Sequence, residues 1–254
     1  MNPLFSIIIP SYNQGQFIAQ TINSILEQPY KNVEIIVIDG ASTDHTIDIL
    51  KSYGDKIFWI SEKDNGQTHA INKGIRFAKG DIITYLNSDD FYLDHTLDLV
   101  SKNFDFNNSF WWLTGDYMIV NEDGQEMQSM IRRYKTFFRN RLSFNVLSVI
   151  NPIVQPSTFL SKSMMEKVGL FNEELHYTMD YEYWIRAIKI QRPIVLKDRL
   201  SAFRIHSKSK GGSQYKNQFD EELMVARKYQ KNPVLILWHV IHNYLILIVY
   251  KFIK

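Results

Sequence analysis

The first ninety residues alternate short apolar segments with segments of helical periodicity, and this alternation limits the fold more than any other feature. The apolar segments are rich in isoleucine and bounded by Pro, Asp or Ser, as is typical of buried strands. Strands that alternate with helices form a mostly parallel sheet covered by helices and joined by right-handed crossovers. The predicted strands are 4–10, 33–39, 57–60 and 81–86, and the predicted helices are 14–27, one capped by Ser42 or Thr43, and 66–79.

The second half of the chain is less regular. An Asp-Gly pair between two apolar runs predicts a hairpin turn at Asn121–Gly124. Trp184, Ile185 and Ile188 recur at helical spacing and predict a helix over 179–190. The remaining predicted elements are a helix at 94–101, a strand at 193–197, a flexible loop at 206–213 and a helix at 216–230.

Trp111 and Trp112 are adjacent at the start of an apolar run. Successive side chains of a strand point to opposite faces of its sheet. We therefore expect one ring to face the core and the other to face solvent.

Composition sets bounds on the class of protein. The chain has 254 residues, of which 45% are hydrophobic and 22% charged, so it can bury a large core and is not disordered. A net charge of +2 is too small to argue for a nucleic-acid partner. The absence of cysteine excludes disulfides, thiolate metal sites and a cysteine nucleophile. The first residues have neither the basic nor the apolar region of a signal peptide, so we expect a cytoplasmic protein.

The predicted strands of the first half all end in polar residues, and three of these four ends are acidic. Ligands of open parallel sheets bind beyond the carboxyl ends of the strands. Carboxylates gathered there need a compensating cation, and their hard oxygens suit Mg²⁺ or Mn²⁺ completed by water and substrate phosphate. The alternative is that residues 88–90 simply begin the helix at 94–101. The residues placed along this rim are Asp39, Asp64, Asp89 and Asp90.

Motifs of other phosphate-handling enzymes are absent from the sequence. There is no GxxxxGK[ST] loop and no GxGxxG after a strand. An aspartyl phosphatase needs Asp at the end of its first strand, where this chain has PSYN at 10–13. The GxSxG elbow of Ser-His-Asp hydrolases is also missing.

Three segments together resemble family-2 glycosyltransferases with the GT-A fold. Residues 6–50, which include PSYN and IDGASTD, resemble the N-terminal signature of that family, and residues 61–90 continue the likeness through its metal-binding "DxD" region. Residues 151–187, with TMDYEYW, resemble the acceptor half of bacterial members that build surface polysaccharides. The resemblance implies an α/β fold of the Rossmann-like GT-A type, a mostly parallel central sheet flanked by helices, with a C-terminal helical extension.

The resemblance also implies which residues bind the donor nucleotide. Asp39 matches the aspartate that hydrogen-bonds the uracil base, and Asp64 matches an acidic residue on the nucleotide side. The loop around the nucleotide is matched by Pro10, Tyr12 and Asn13. Asn87 and Ser88 occupy the first two DxD positions, so Asn replaces the first Asp there.

Metal contacts follow from the same likeness. Asp89 matches the carboxylate that reaches Mn²⁺ or Mg²⁺, and Asp90 is its helper. His206 matches a position that in some members touches the metal or the diphosphate. Lys208 and Lys210 beside it can screen a diphosphate, and the neighbouring glycines let this loop close. The alternative for His206 is an ordinary solvent-exposed histidine.

Asp180 matches the catalytic base of the family. Sugar transfer needs a group that takes the proton of the acceptor hydroxyl, and an ionised carboxylate can do so in a single displacement that inverts the anomeric centre. Glu182 is two residues away on a different helix face, so both cannot address one hydroxyl. The structural alternative makes Asp180 the N-cap of its helix.

The C-terminal segment 233–254 predicts a helix of unusual character. Its stretch 234–250 has no charged residue, but His239, His242 and Asn243 share one face, and lysines flank its end. This pattern is typical of an interfacial helix. The resemblance to members that build surface polysaccharides implies a lipid-linked acceptor at the inner face of the cell membrane, which would explain membrane contact. The alternative is burial against the domain or against a second subunit of a homodimer. The expected organisation is a GT-A domain at 1–212, with a nucleotide-sugar half at 1–100 and an acceptor half at 101–212, followed by a helical tail at 213–254.

The function that the resemblance implies is inverting, metal-dependent transfer from a UDP-sugar to a glycan or polyprenyl-linked acceptor. A nucleotidyltransferase that makes nucleotide sugars shares the sheet and the metal, but usually needs a Gly-rich loop after the first strand, where PSYNQGQ has one glycine. A non-catalytic sugar- or partner-binding module is the other alternative.

Overall fold

Nine strands form one sheet in the computed structural model, which describes residues 2–127, 129–207 and 215–253. Their order across the sheet is β3-β2-β1-β4-β8-β6-β9-β5, with β7 paired to β6. The strands are β1 (Phe5–Ser11), β2 (Val33–Asp39), β3 (Phe58–Ser61), β4 (Ile82–Tyr85), β5 (Phe91–Tyr92), β6 (Trp112–Val120), β7 (Glu126–Met127), β8 (Thr158–Ser161) and β9 (Ile194–Arg204).

The helices cover both faces of this sheet. They are α1 (Ile18–Leu26), α2 (Thr46–Ser52), α3 (Gln67–Phe77), α4 (Thr96–Lys102), α5 (Ser129–Arg139), α6 (Phe144–Val149), α7 (Lys162–Val168), α8 (Met179–Ile190), α9 (Tyr215–Tyr229) and α10 (Pro233–Ile253). Every predicted helix is present, and α8 has the predicted bounds. Helix α1 begins four residues later than predicted, because the N–H groups of Gln14 and Gly15 donate to the side chains of Thr46, the first residue of α2, and of Asp44 just before it.

Strands β3, β2, β1 and β4 run parallel, as predicted, while β8 is antiparallel to both β4 and β6. The carboxyl ends of the four parallel strands therefore meet at one edge of the sheet. Strand β9 continues seven residues beyond its predicted end and runs parallel to β6. This extension brings Arg204 and His206 to the same edge.

Two apolar layers lie on opposite faces of the sheet, and alternate residues of each strand enter one or the other. Ile7 and Ile9 join the layer with α1, while Ile8 joins the layer with α3 and α8. The prediction that one of two adjacent tryptophans faces solvent is wrong. Trp111 enters one layer and Trp112 the other, and both are buried, because helices cover both faces here.

Helix α10 packs against α6 and α9. Among the described residues, none of the helices is both long and apolar enough to span a membrane. Residues 208–214, which include Lys208, Lys210 and the predicted start of the tail at 213, lie outside the described part of the chain.

Candidate active site

The loops that follow β1 and β2 are joined through Asp39. Its carboxylate is fully buried at the end of β2. One oxygen accepts hydrogen bonds from the Ser42 N–H (2.9 Å) and the Ser61 hydroxyl (2.6 Å), and the other accepts from the Ser42 hydroxyl (2.5 Å). Asn13 binds the same loop, because its N–H donates to Ser42 Oγ (2.8 Å) and its Oδ1 accepts from the Thr43 N–H (2.8 Å). The structure thus brings the predicted nucleotide residues Asn13 and Asp39 together.

The other predicted nucleotide residues border the same loops. Pro10 is buried within β1, while Tyr12 is 60% exposed beside Asn13. Asp64 accepts a hydrogen bond from the N–H of Gly66, whose φ of 107° needs glycine, and this bond fixes the start of α3. A Cβ on Gly40 would lie 2.8 Å from Asp64 Oδ2, so the loops after β2 and β3 are in close contact.

The adjacent carboxylates after β4 occupy different environments. Asp90 is 1% exposed and accepts hydrogen bonds from the Arg204 N–H (2.9 Å) and from Asn87 Nδ2 (3.1 Å). Burial and the charge of Asp89 raise the pKa of Asp90 well above its ordinary value. Ser88 is also buried, and its carbonyl accepts from the Thr21 hydroxyl (2.9 Å). Only the Asp89 side chain, 19% exposed, reaches the rim, whereas Asp90 holds the loop in place.

His206 lies directly against Asp89. Its Nε2 is 3.0 Å from Asp89 Oδ2, although the two residues are 117 positions apart. The His206 ring also packs on Phe17, with ring centroids 4.8 Å apart. The long strand β9 produces this contact, so His206 is a nearly buried group at the rim and not an ordinary solvent-exposed histidine.

Arg204 is a buried residue at this rim that no motif of the sequence marks. Its guanidinium donates to the carbonyls of Asp89 (2.9 Å) and Glu122 (2.6 Å) and to Gln20 Oε1 (2.6 Å). It lies over the rings of Phe17 and Phe91. Arg204 therefore fixes the loop that carries Asp89 against α1 and β9.

The side chains at this rim could ligate a divalent cation whose coordination shell is completed by a substrate. Asp89 and His206 supply one carboxylate and one imidazole, which Mn²⁺ accepts, and Mg²⁺ prefers the carboxylate. No group of three or more His, Asp or Glu side chains able to hold a metal occurs in the part of the chain that the structure describes. A metal at this rim would therefore need water and diphosphate oxygens for most of its shell.

Asp180 lies in the first turn of α8, and the N-cap is Thr178. The alternative that made Asp180 the cap is therefore wrong. Its Oδ1 accepts a hydrogen bond from the Tyr181 N–H (2.7 Å). Burial raises the pKa of Asp180 above its ordinary value, while that bond and the Lys135 ammonium act in the opposite direction.

Asp180 lies at the same end of the sheet as Asp89 and Asp90. Tyr85, the last residue of β4, is buried, and both Asp180 and Asp90 are close enough for their charges to add to the effect of burial in raising the pKa of its hydroxyl. Glu182 faces elsewhere, as predicted. Its buried carboxylate pairs with Arg186 (2.9 Å) and accepts from the Tyr229 hydroxyl.

Two further charged residues accompany Asp180, and neither was predicted. Lys135 of α5 interacts with both Asp180 and Glu222, and burial lowers its pKa below the ordinary value. Burial raises the pKa of Glu222 on α9 to about 7. Their elements, α5 and α9, have no motif that marks them, so no sequence signal would have found these residues.

Glu221 attaches α9 to the start of α8. Its carboxylate accepts hydrogen bonds from the N–H groups of His176 (3.0 Å), Tyr177 (2.8 Å) and Thr178 (2.7 Å), and from the Thr178 hydroxyl (2.9 Å). A carboxylate at a helix N-terminus satisfies N–H groups that have no partner inside the helix and interacts favourably with the helix dipole. Glu221 therefore positions the turn that carries Asp180.

We expect Glu221→Ala to lower the free energy of unfolding by about 1–3 kcal/mol, because it leaves partly buried N–H groups without their acceptor. Chemical denaturation measures this change. Asp220→Ala, at the neighbouring exposed position, should change stability by less than about 0.5 kcal/mol. Equal losses in both variants would contradict the capping role.

Comparisons with known proteins point to one family. The sequence profile of "Glycosyl transferase family 2" matches residues 6–169. An uncharacterised glycosyltransferase of Rickettsia typhi is 30% identical over 210 residues, 81% of this chain and 65% of the relative. Another, of Haemophilus influenzae, is 29% identical over 85% of this chain and 84% of its own length. The chain thus spans less than two thirds of the Rickettsia relative.

Solved structures show the same fold. S. aureus TarS 1–349 in complex with UDP-GlcNAc superposes with a TM-score of 0.70 and 20% identity, over 89% of this chain and 66% of TarS. The mannosyltransferase PcManGT of Pyrobaculum calidifontis, solved with GDP-Man and Mn²⁺, gives a TM-score of 0.72 and 16% identity, over 95% and 70% of the two chains. These likenesses confirm the predicted GT-A fold.

Proposed function

The chain belongs to glycosyl transferase family 2, and we propose that it moves a sugar from a nucleoside-diphosphate sugar, with a UDP-sugar as the first candidate, to a hydroxyl of a glycan or polyprenyl-linked acceptor in surface polysaccharide synthesis. The observation that carries this proposal is the contact of Asp89 with His206 at the carboxyl ends of the parallel strands. Asp180 lies at the same end of the sheet. Asp89 and His206 would therefore face the donor diphosphate, and Asp180 would face the acceptor hydroxyl beside it.

We assign donor binding to residues 1–100. Asp39 organises the loops after β1 and β2 through Ser42, and exposed Tyr12 borders the space where a base would lie. Asp64 shapes the adjoining loop after β3. The complexes of TarS with UDP-GlcNAc and of PcManGT with GDP-Man support a nucleotide-sugar donor.

Asp89 and His206 would hold Mn²⁺ or Mg²⁺ in this proposal. The bound ion acts as a Lewis acid that neutralises the leaving diphosphate. Asp90 has a supporting role, because its oxygens already bond the Arg204 N–H and Asn87. Arg204 keeps the Asp89 loop in place, so that Asp89 meets the donor without rearrangement.

Asp180 would take the proton of the acceptor hydroxyl as the new C–O bond forms, and the nucleoside diphosphate leaves from the opposite face of the sugar. This single displacement inverts the anomeric centre. Lys135 favours the ionised form of Asp180, the form that a base needs. We assign acceptor binding to residues 101–212, because Asp180 lies in this part of the chain.

A polyprenyl-linked acceptor would place the protein at the inner face of the cell membrane, with α10 in contact with the lipid. Of the described residues in the expected tail at 213–254, α9 is attached to the start of α8 through Glu221, so α10 alone would be the membrane contact. A homodimer through α10 is the competing arrangement.

The alternatives have less support. A nucleotidyltransferase usually needs a Gly-rich loop after β1, and this loop has one glycine between Ser11 and Gln16. A non-catalytic binding module would not need Asp180 held beside Lys135.

A donor screen tests the proposal. Release of nucleoside diphosphate is followed across UDP-, GDP- and dTDP-sugars, with and without Mn²⁺. We expect Mn²⁺-dependent release from one class of donor. Release of pyrophosphate from a nucleoside triphosphate and a sugar phosphate would instead identify a nucleotidyltransferase.

A further inference from the structure

Helix α10 buries polar side chains and exposes apolar ones, which is the reverse of a helix that packs on the core of a globular protein. The side chains that it buries against α6 include His239 and Asn243, which are 2% and 7% exposed. His239 Nδ1 lies 2.9 Å from the carbonyl oxygen of Ser148 in α6, and Asn243 bonds the other ring nitrogen (3.0 Å). The opposite side, at helical spacing, is apolar and between 37% and 65% exposed, and consists of Val234, Leu237, Trp238, Ile241, Tyr244 and Leu245.

Helix α5 adds a second apolar stripe beside it. Met130, Tyr134 and Phe137 share one side of α5 and are 81%, 37% and 53% exposed. The Tyr134 ring stacks in parallel on His242 of α10, with centroids 6.0 Å apart, so the two helices adjoin. We call these exposed side chains of α5 and α10 the α5–α10 face. Continuous apolar surface of this kind marks an interaction site.

The two helices that form this face carry charges of one sign. The sequence contains no Asp or Glu from 127 to 165 or from 223 to 254, the two stretches that include α5 and α10. Arg141 lies over the Phe137 ring, 3.9 Å from its centroid, and further exposed cations are Arg133 of α5, Arg227 of α9, which is close to His239 of α10, and Lys231 just before α10. An apolar face with a cationic border is complementary to a surface that is apolar inside and anionic outside.

We propose that the α5–α10 face docks on a bilayer that contains anionic lipid. Trp238 and Tyr244 are side chains that favour the boundary between headgroups and acyl chains. A second copy of the chain fits less well, because a two-fold dimer would place the same cationic border against itself. Docking on anionic lipid rests on the proposed function only for the nature of the acceptor.

Docking would also place the candidate base near the lipid surface. The inner side of α5 carries Lys135, which interacts with Asp180. Arg132 and Arg139 of the same side pair with Asp116 at 2.5 and 2.6 Å, so α5 is held firmly on β6. One helix therefore connects the α5–α10 face with the acceptor side of the site.

Vesicle flotation tests this inference without donor, metal or acceptor, so its failure is separate from any failure of sugar transfer. The protein is mixed with vesicles of phosphatidylcholine alone, or of equal parts phosphatidylcholine and phosphatidylglycerol. We expect binding to the anionic vesicles, with Leu237→Glu/Ile241→Glu weakening it about tenfold or more. Each of Arg133→Ser and Arg227→Ser should weaken it about fivefold. The controls Phe58→Glu and Lys56→Ser, at exposed positions on β3 and before it, should bind as wild type.

Tryptophan fluorescence gives a second measurement that does not depend on these variants. Trp238 is 56% exposed, whereas Trp111, Trp112 and Trp184 are buried. We expect its emission to shift to shorter wavelength when anionic vesicles are added, and Trp238→Phe to lose the shift. Equal binding to neutral and anionic vesicles would overturn the anionic-lipid assignment. Absence of vesicle binding, together with a dimer that Leu237→Glu/Ile241→Glu dissociates in sedimentation, would identify a second copy as the occupant.

Discussion

Asp180→Asn is expected to lower the rate of sugar transfer by about 10²–10⁴-fold while UDP affinity stays near that of the wild-type protein. The variant keeps the shape of the side chain and can still accept the Tyr181 N–H, but it cannot take a proton. UDP binding should survive, because Asp180 lies on α8 and the strand-end loops bind the nucleotide in this account. Single-turnover kinetics and calorimetry with UDP measure the two effects separately.

Glu174→Gln, at an exposed carboxylate just before α8, is the matched control and should transfer sugar at the wild-type rate. Glu182 is a poor control, since its carboxylate holds Arg186 and Tyr229 in the core. Near-normal turnover of Asp180→Asn would place the base elsewhere. Loss of UDP binding in the same variant would mean that Asp180 is structural.

The raised pKa of Asp180 also has a consequence for pH dependence. A base works in its ionised form, so transfer should fall as pH drops through this raised pKa. The acidic limb of the rate profile should therefore lie above the ordinary aspartate value of about 3.9.

Asp89→Ala is the second large effect that we expect. It should abolish measurable transfer and the Mn²⁺-dependent part of UDP binding, because the only acidic side chain that reaches the rim from the loop after β4 is lost. The fold should persist, since hydrogen bonds of Asp90 and Arg204 hold that loop in place without the Asp89 side chain. Asp94→Ala removes an exposed carboxylate shortly after the same loop and should leave both properties intact. Unchanged Mn²⁺-UDP binding in Asp89→Ala would show that the metal site is not at this strand end.

The first half of the fold could be predicted because its signals are local. Isoleucine-rich runs ended by polar residues define β1 to β4, and parallel strands place their carboxyl ends together. The same logic brought Asn13, Asp39, Asp64 and Asp89 to one edge. Local patterns could not predict the contact of His206 with Asp89, because the register of β9 depends on pairing with β6 over long sequence separations.

The surroundings of Asp180 could not be predicted for a related physical reason. Lys135 and Glu222 reach it from two amphipathic helices whose positions depend on tertiary packing and not on local pattern. The different environments of Asp89 and Asp90 are equally non-local, since the Arg204 N–H that binds Asp90 comes from the end of β9. Adjacent acids in a sequence therefore do not reveal which one reaches a ligand.

Calorimetric titration of the wild-type protein with UDP shows whether a metal at the strand ends holds the donor diphosphate. The titration is run with Mn²⁺, then with excess EDTA, and then with Mn²⁺ restored. We expect UDP to bind with Mn²⁺, to bind at least about tenfold more weakly in EDTA, and to recover its affinity when the metal returns. Equal UDP affinity with and without the metal would show that no metal holds the donor diphosphate.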